Sequence, residues 1–117
     1  MPRKILTAEG RDALDAVRAG STARGDLGTA VRYLLQLLAE KAPGNSVEVR
    51  VPPYGAVQVV EGPRHTRGTP PNVIETDAAT WIALATGQTA WADAVTAGRV
   101  QASGTRADLI ALLPLRP

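Results

Sequence analysis

The chain has 117 residues, a formal charge of +2 and no cysteine. That length supports one domain, spanning residues 1–117, with a single modest core, and the missing cysteine excludes disulfides, thiolate metal sites and thiol catalysis. The pI is about 9.5, but the near-neutral balance and the lack of aromatic residues among the basic ones speak against a nucleic-acid partner.

Phenylalanine is absent, so the core has to be built from Leu, Val, Ile, Ala and the two tryptophans. A core so rich in alanine implies closely packed helices or space left for a ligand. The chain starts Met1-Pro-Arg-Lys-Ile-Leu-Thr7, a basic opening with no apolar run behind it, so no signal peptide is expected. Nothing further along is long enough to span a membrane, and a cytoplasmic protein is the expectation. Residues 7 to 19 read as a first helix, capped by Thr7, with Leu14 and Val17 on its apolar edge and Gly20 ending it. Together with the following loop, this helix makes residues 1–25 the segment expected to be mobile. Asp26 opens a stronger helix, with Leu27, Val31, Leu34, Leu35 and Leu38 at helical spacing and Arg32 and Glu40 outside. Pro43-Gly44 stops it.

Val47, Val49 and Val51 alternate with Ser46, Glu48 and Arg50, the pattern of a strand with one buried face. Pro52-Pro53-Tyr54-Gly55 turns the chain into a second strand from Ala56 to Val60, which predicts an antiparallel hairpin. Residues 61 to 71 form the longest irregular stretch, and Val73 and Ile74 begin a third strand. Asp77 or Thr76 caps a helix carrying Trp81, Ile82 and Leu84, and Gly87 supplies its left-handed end. Thr89 opens another helix, with Trp91 and Val95, which Gly98 closes. Val100 and Ala102 face one side of a fourth strand. Thr105 and Asp108 then start a final helix with Leu109, Leu112 and Leu113, and Pro114 ends it.

From Asn72 to Leu115 this order resembles the sterol carrier protein family. The residues that carry the likeness are Asp77, Trp81-Ile82-Leu84, Gly87, Ala94, Gly98-Arg99-Val100, Gly104 and Leu109 to Leu113. The upstream helices and hairpin fit the same order, and the Glu61 to Pro71 stretch is similar to that of short stand-alone bacterial members. A similar domain forms the C-terminal half of mycothiol-dependent maleylpyruvate isomerases. The resemblance implies an α+β fold, in which a mostly antiparallel sheet of four to five strands is covered on one face by about five helices. It also implies an apolar space of the kind that takes up acyl chains or sterols in eukaryotic members.

Candidate site residues are few. His65 is the only histidine, and no nucleophile elbow or ligand pair for zinc accompanies it, so neither catalysis, a metal nor any cofactor is expected. Arg64, His65 and Arg67 sit in a Gly/Pro-rich loop. There the guanidinium forks can cradle an anion, or Arg64 or Arg67 can pair with Glu61 or Glu75 and pin the loop to the sheet. Asp77, Asp93 and Asp108 fall one per helix and read as structural. Trp81 and Trp91 read as core residues. A pocket between their helices and the sheet would be lined by Trp81, Leu84, Ala85, Trp91 and Val95, with Leu34 and Leu38 opposite. The first expectation is a non-enzymatic binder of an acyl-like or other amphipathic molecule. Its tail would lie among Leu34, Leu38, Trp81, Trp91 and Leu113, and its acid near Arg64 or Arg67. The alternative is a ligand-free module that docks on a partner protein or self-associates as a homodimer.

Overall fold

The computed structural model describes residues 3–62 and 71–117. Its elements are α1 (Thr7–Arg18), α2 (Arg24–Lys41), β1 (Val47–Val51), β2 (Gly55–Val59), β3 (Asn72–Thr76), α3 (Ala78–Ala85), α4 (Trp91–Thr96) and β4 (Val100–Ser103). The class is α+β, as expected. Among the described residues there are four helices rather than five, and none is long and apolar enough to cross a membrane.

The second helix organises the molecule. Ala30, Val31, Tyr33, Leu34, Leu35 and Leu38 of α2 are all buried, so apolar side chains leave it on several sides. A helix of that kind has to be covered from more than one direction. Helix α1 packs on one side, α3 on another, and β2 runs alongside. Gly10 of α1 allows the closest approach, because a Cβ there would collide with the buried ring of Tyr33. The N-terminal segment from Arg3 to Arg18 is thus laid against α2.

Among the described residues the sheet has four strands in the order β2-β1-β3-β4. The predicted hairpin forms, with Val47 opposite Val59 and Val49 opposite Val57. The outer pair β3–β4 is also antiparallel. The central pair β1–β3 is parallel, with Val49 opposite Ile74, which corrects the expected largely antiparallel sheet to a mixed one. The cause is where the chain emerges. Strand β2 ends beside the start of β1, at Val59 opposite Val47, and β3 starts at that same end, at Asn72 opposite Val47, so it runs in the same direction as β1. Val47, Val49, Val51, Val59, Ile74 and Val100 all face the helices and are buried. The other face carries Glu48, Arg50, Val73 and Glu75, with Arg50 ion-paired to Glu48 at 2.6 Å.

Local signals were met unevenly. Asp77 caps α3 as predicted: its Oδ1 accepts the Thr80 N–H at 2.8 Å, and Gly87 follows the helix at φ +81°. Thr7 and Asp26 do not cap. Leu6 and Ala23 hold the N-cap positions of α1 and α2 without side-chain caps, and Asp26 lies inside α2, accepting the Ser21 hydroxyl. Helix α4 likewise starts from Ala90 rather than from Thr89.

The predicted final helix is replaced by a single turn, Leu112 N–H to Leu109 O at 2.9 Å. Asp108 spends its carboxylate on the Ile110 N–H two residues on, a turn contact that competes with helix capping. Pro114 then blocks continuation, since it has no N–H and disfavours helical geometry in the residue before it. Beyond it Leu115 donates to the Ala85 carbonyl at 2.8 Å and is buried, so the tail docks against α3 as an irregular segment.

Candidate functional site

The side of α2 that carries Arg32, Gln36, Ala39 and Glu40 faces neither α1 nor α3. Beside it runs β2, the edge strand of the sheet, preceded by Tyr54. The N-terminal residues Arg3, Lys4 and Ile5 cross the same region. Between these three walls lies a groove of about 830 Å³, open along one side. Its apolar surface comes from Ile5, Leu35, Ala39, Tyr54 and Val57, and its rim from Arg3, Lys4, Glu9, Arg32, Gln36 and Glu40.

One side chain ties the N-terminal strap down. Gln36 accepts the Ile5 N–H on its Oε1 at 2.9 Å and donates from Nε2 to the Ile5 carbonyl at 3.0 Å. This reciprocal pair satisfies both backbone groups of Ile5, as a neighbouring strand would. Two ion pairs flank it, Arg3 with Glu9 at 3.0 Å and Lys4 with Glu40 at 3.3 Å. The hydrogen bond from Arg3 holds the Glu9 carboxyl below its ordinary range. All four ion-paired side chains are well exposed, so these pairs set the rim's charge more than they stabilise the fold. Gln36→Leu keeps the side-chain bulk but removes both hydrogen bonds. It is expected to lower stability by about 1–2 kcal/mol and to speed amide exchange at Ile5. Unchanged Ile5 exchange would show that the strap is held by other contacts.

The residues expected to line a pocket are not those that line this groove. Leu34, Leu38 and Trp81 are completely buried and Leu84 nearly so, all within the closed core. The indole of Trp81 reaches α2, where its Nε1–H donates to the Val31 carbonyl at 3.3 Å. Trp91 is buried at the periphery, Leu113 is half-buried against the core, and Val95 is 42% exposed. The core brings Leu34, Leu38, Trp81 and Leu84 together, but none of these seven residues lines the groove. Arg64, His65 and Arg67 lie outside the described residues.

Of the groove's residues only Leu35 stood out in the sequence, as part of the apolar stripe of α2. Arg32 and Glu40 read as its solvent side. Gln36, Tyr54 and Ile5 carried no signal beyond their types, since what joins them is an approach across 31 positions of chain between Ile5 and Gln36.

No curated protein matches the sequence. Residues 23–115 match the family described as bacterial SCP ortholog, a span that starts just before α2 and takes in every later element. Helix α1 and the strap that walls the groove precede it. With most of its length matched and the α+β fold in place, the chain belongs to the bacterial SCP ortholog family.

Proposed function

We propose that this protein binds a lipid-like or other amphipathic small molecule, without transforming it, in the groove between α2, the edge strand β2 and the N-terminal strap. The observation that carries this reading is the groove itself: about 830 Å³ with an apolar floor and a polar rim. Small-molecule sites typically span about 300–1,000 Å³ with mostly apolar walls and a few polar groups that orient the ligand. Membership of the SCP family supports the same class of ligand. An acyl tail would lie on Ala39, Tyr54 and Val57, with Ile5 and the buried Leu35 beneath. The full burial of Trp81 and Leu38 supports reading them as packing beneath α2 rather than as walls of the ligand site.

The test is calorimetric titration of delipidated protein with dodecanoate, alongside Ala39→Trp. Ala39 sits on the groove side of α2 and is only partly buried, so an indole there occupies the ligand's space. Micromolar binding that falls at least about ten-fold in the folded variant is the expected result, the scale of losing a well-filled apolar contact. Absence of binding to the unaltered protein, or binding that the indole leaves intact, would remove the groove from consideration.

A further inference from the structure

Among the described residues three cations and two carboxylates line the groove, and the two carboxylates are already taken by Arg3 and Lys4. Arg32 is the remainder. Among the described residues it has no carboxylate partner, and its side chain makes one long hydrogen bond, Nη1–H to the Tyr54 carbonyl at 3.4 Å. The described residues of the rim therefore carry one net positive charge, located on one guanidinium.

The place of that guanidinium is built by two glycines on different elements. A Cβ on Gly28, one turn earlier on α2, would stand 2.9 Å from Arg32 Nη1 and 3.2 Å from Tyr54 Cδ1. A Cβ on Gly55, at the start of β2, would stand 3.3 Å from Arg32 Cγ and 3.4 Å from Leu35 Cδ1. The side chain of this exposed arginine thus lies along a slot between helix and strand, its stem beside Gly55 and its guanidinium beside Gly28. Most of its five donors are left for something else, in a fork that matches a carboxylate.

We infer that Arg32 is the anion anchor of the groove, and that the ligand is a monoanionic, carboxylate-headed amphiphile rather than a neutral alcohol or sterol. One net charge on the rim balances one carboxylate, whereas a phosphate monoester would bring a second charge without a partner. The inference rests on the groove being the ligand site.

The experiment compares dodecanoate with 1-dodecanol at neutral pH on the full chain and on Arg32→Gln. A charge-assisted, forked contact corresponds to roughly ten- to hundred-fold in affinity. The unaltered protein is expected to prefer dodecanoate by that factor, and Arg32→Gln to abolish the preference by weakening dodecanoate far more than dodecanol. Arg32→Lys, which keeps the charge but loses the fork, is expected to retain part of it, and it serves as the second variant if Arg32→Gln does not fold. If the unaltered protein binds neither probe, the groove reading fails and the anchor with it. If it binds both, and the Arg32 variants weaken neither or weaken both equally, the anchor is overturned while the groove stands.

Discussion

Trp81→Ala is expected to cost about 3–5 kcal/mol, the range for truncating a fully buried aromatic side chain. A domain of this size holds about 5–15 kcal/mol in all, so the variant should lose a large share of its stability. Trp81 has no exposed surface, and it joins α3 to α2 both by packing and by its hydrogen bond to the Val31 carbonyl. Removing it opens a hole between the two helices and removes the indole's bond to a carbonyl already engaged within α2. Trp81→Phe separates the contributions: it keeps most of the apolar contact and should lose about 1–2 kcal/mol, chiefly from the missing N–H. Urea denaturation followed by circular dichroism measures both. A loss below about 1 kcal/mol for Trp81→Ala would mean that the residue borders a space rather than fills the core.

Asn72→Asp is expected to have the next largest effect, about 3 kcal/mol at neutral pH. Asn72 is buried at the first position of β3. Its Nδ2 donates to the Ser46 carbonyl at 2.8 Å, next to the start of β1, and its Oδ1 accepts the Arg106 N–H at 2.9 Å, beyond the end of β4. One amide therefore joins three segments at the same end of the sheet. A carboxylate can still accept from Arg106, but toward Ser46 it presents an oxygen to an oxygen. Burial and that carbonyl both disfavour the charged form, which raises the folded-state pKa of the introduced acid above its unfolded value. The penalty is then full above the folded pKa and shrinks as pH falls toward the unfolded one, where the protonated acid can again donate. Stability measured at acidic and at neutral pH should show the gap between variant and parent narrowing in acid. A gap that is flat across pH would show that the donor to Ser46 is not what matters.

These two residues mark different degrees of legibility. Trp81 could be assigned to a buried helix face from its neighbours alone, because Asp77 three residues before Thr80 and Gly87 past the last apolar position define α3 within a dozen residues. The hairpin was equally plain, since its alternation and its turn are contiguous. Asn72 gave no such sign. Its role depends on Ser46 and Arg106, which lie 26 and 34 positions away. The parallel pairing of β1 with β3 escaped for the same reason, as neither strand's composition records which edge it joins. In the last segment the apolar spacing of Leu109, Leu112 and Leu113 suits a helix, but Asp108 and Pro114 leave room for only one turn.

The candidate site was less legible than the fold. Periodicity places Arg32 and Glu40 on the solvent side of α2, and by exposure both are on the surface. What turns that surface into a groove is the arrival of Ile5 and Tyr54 from opposite directions in the chain, held by Gln36 and by the slot that Gly28 and Gly55 leave for Arg32. By itself, then, the sequence determined the class of fold, the hairpin, the capped third helix and the set of apolar residues available for a core. Those rest on local periodicity and on short-range hydrogen bonds. Only the tertiary structure decided the mixed sheet, the turn in place of a last helix and the position of the groove, because each depends on contacts between segments whose spacing along the chain leaves no local pattern.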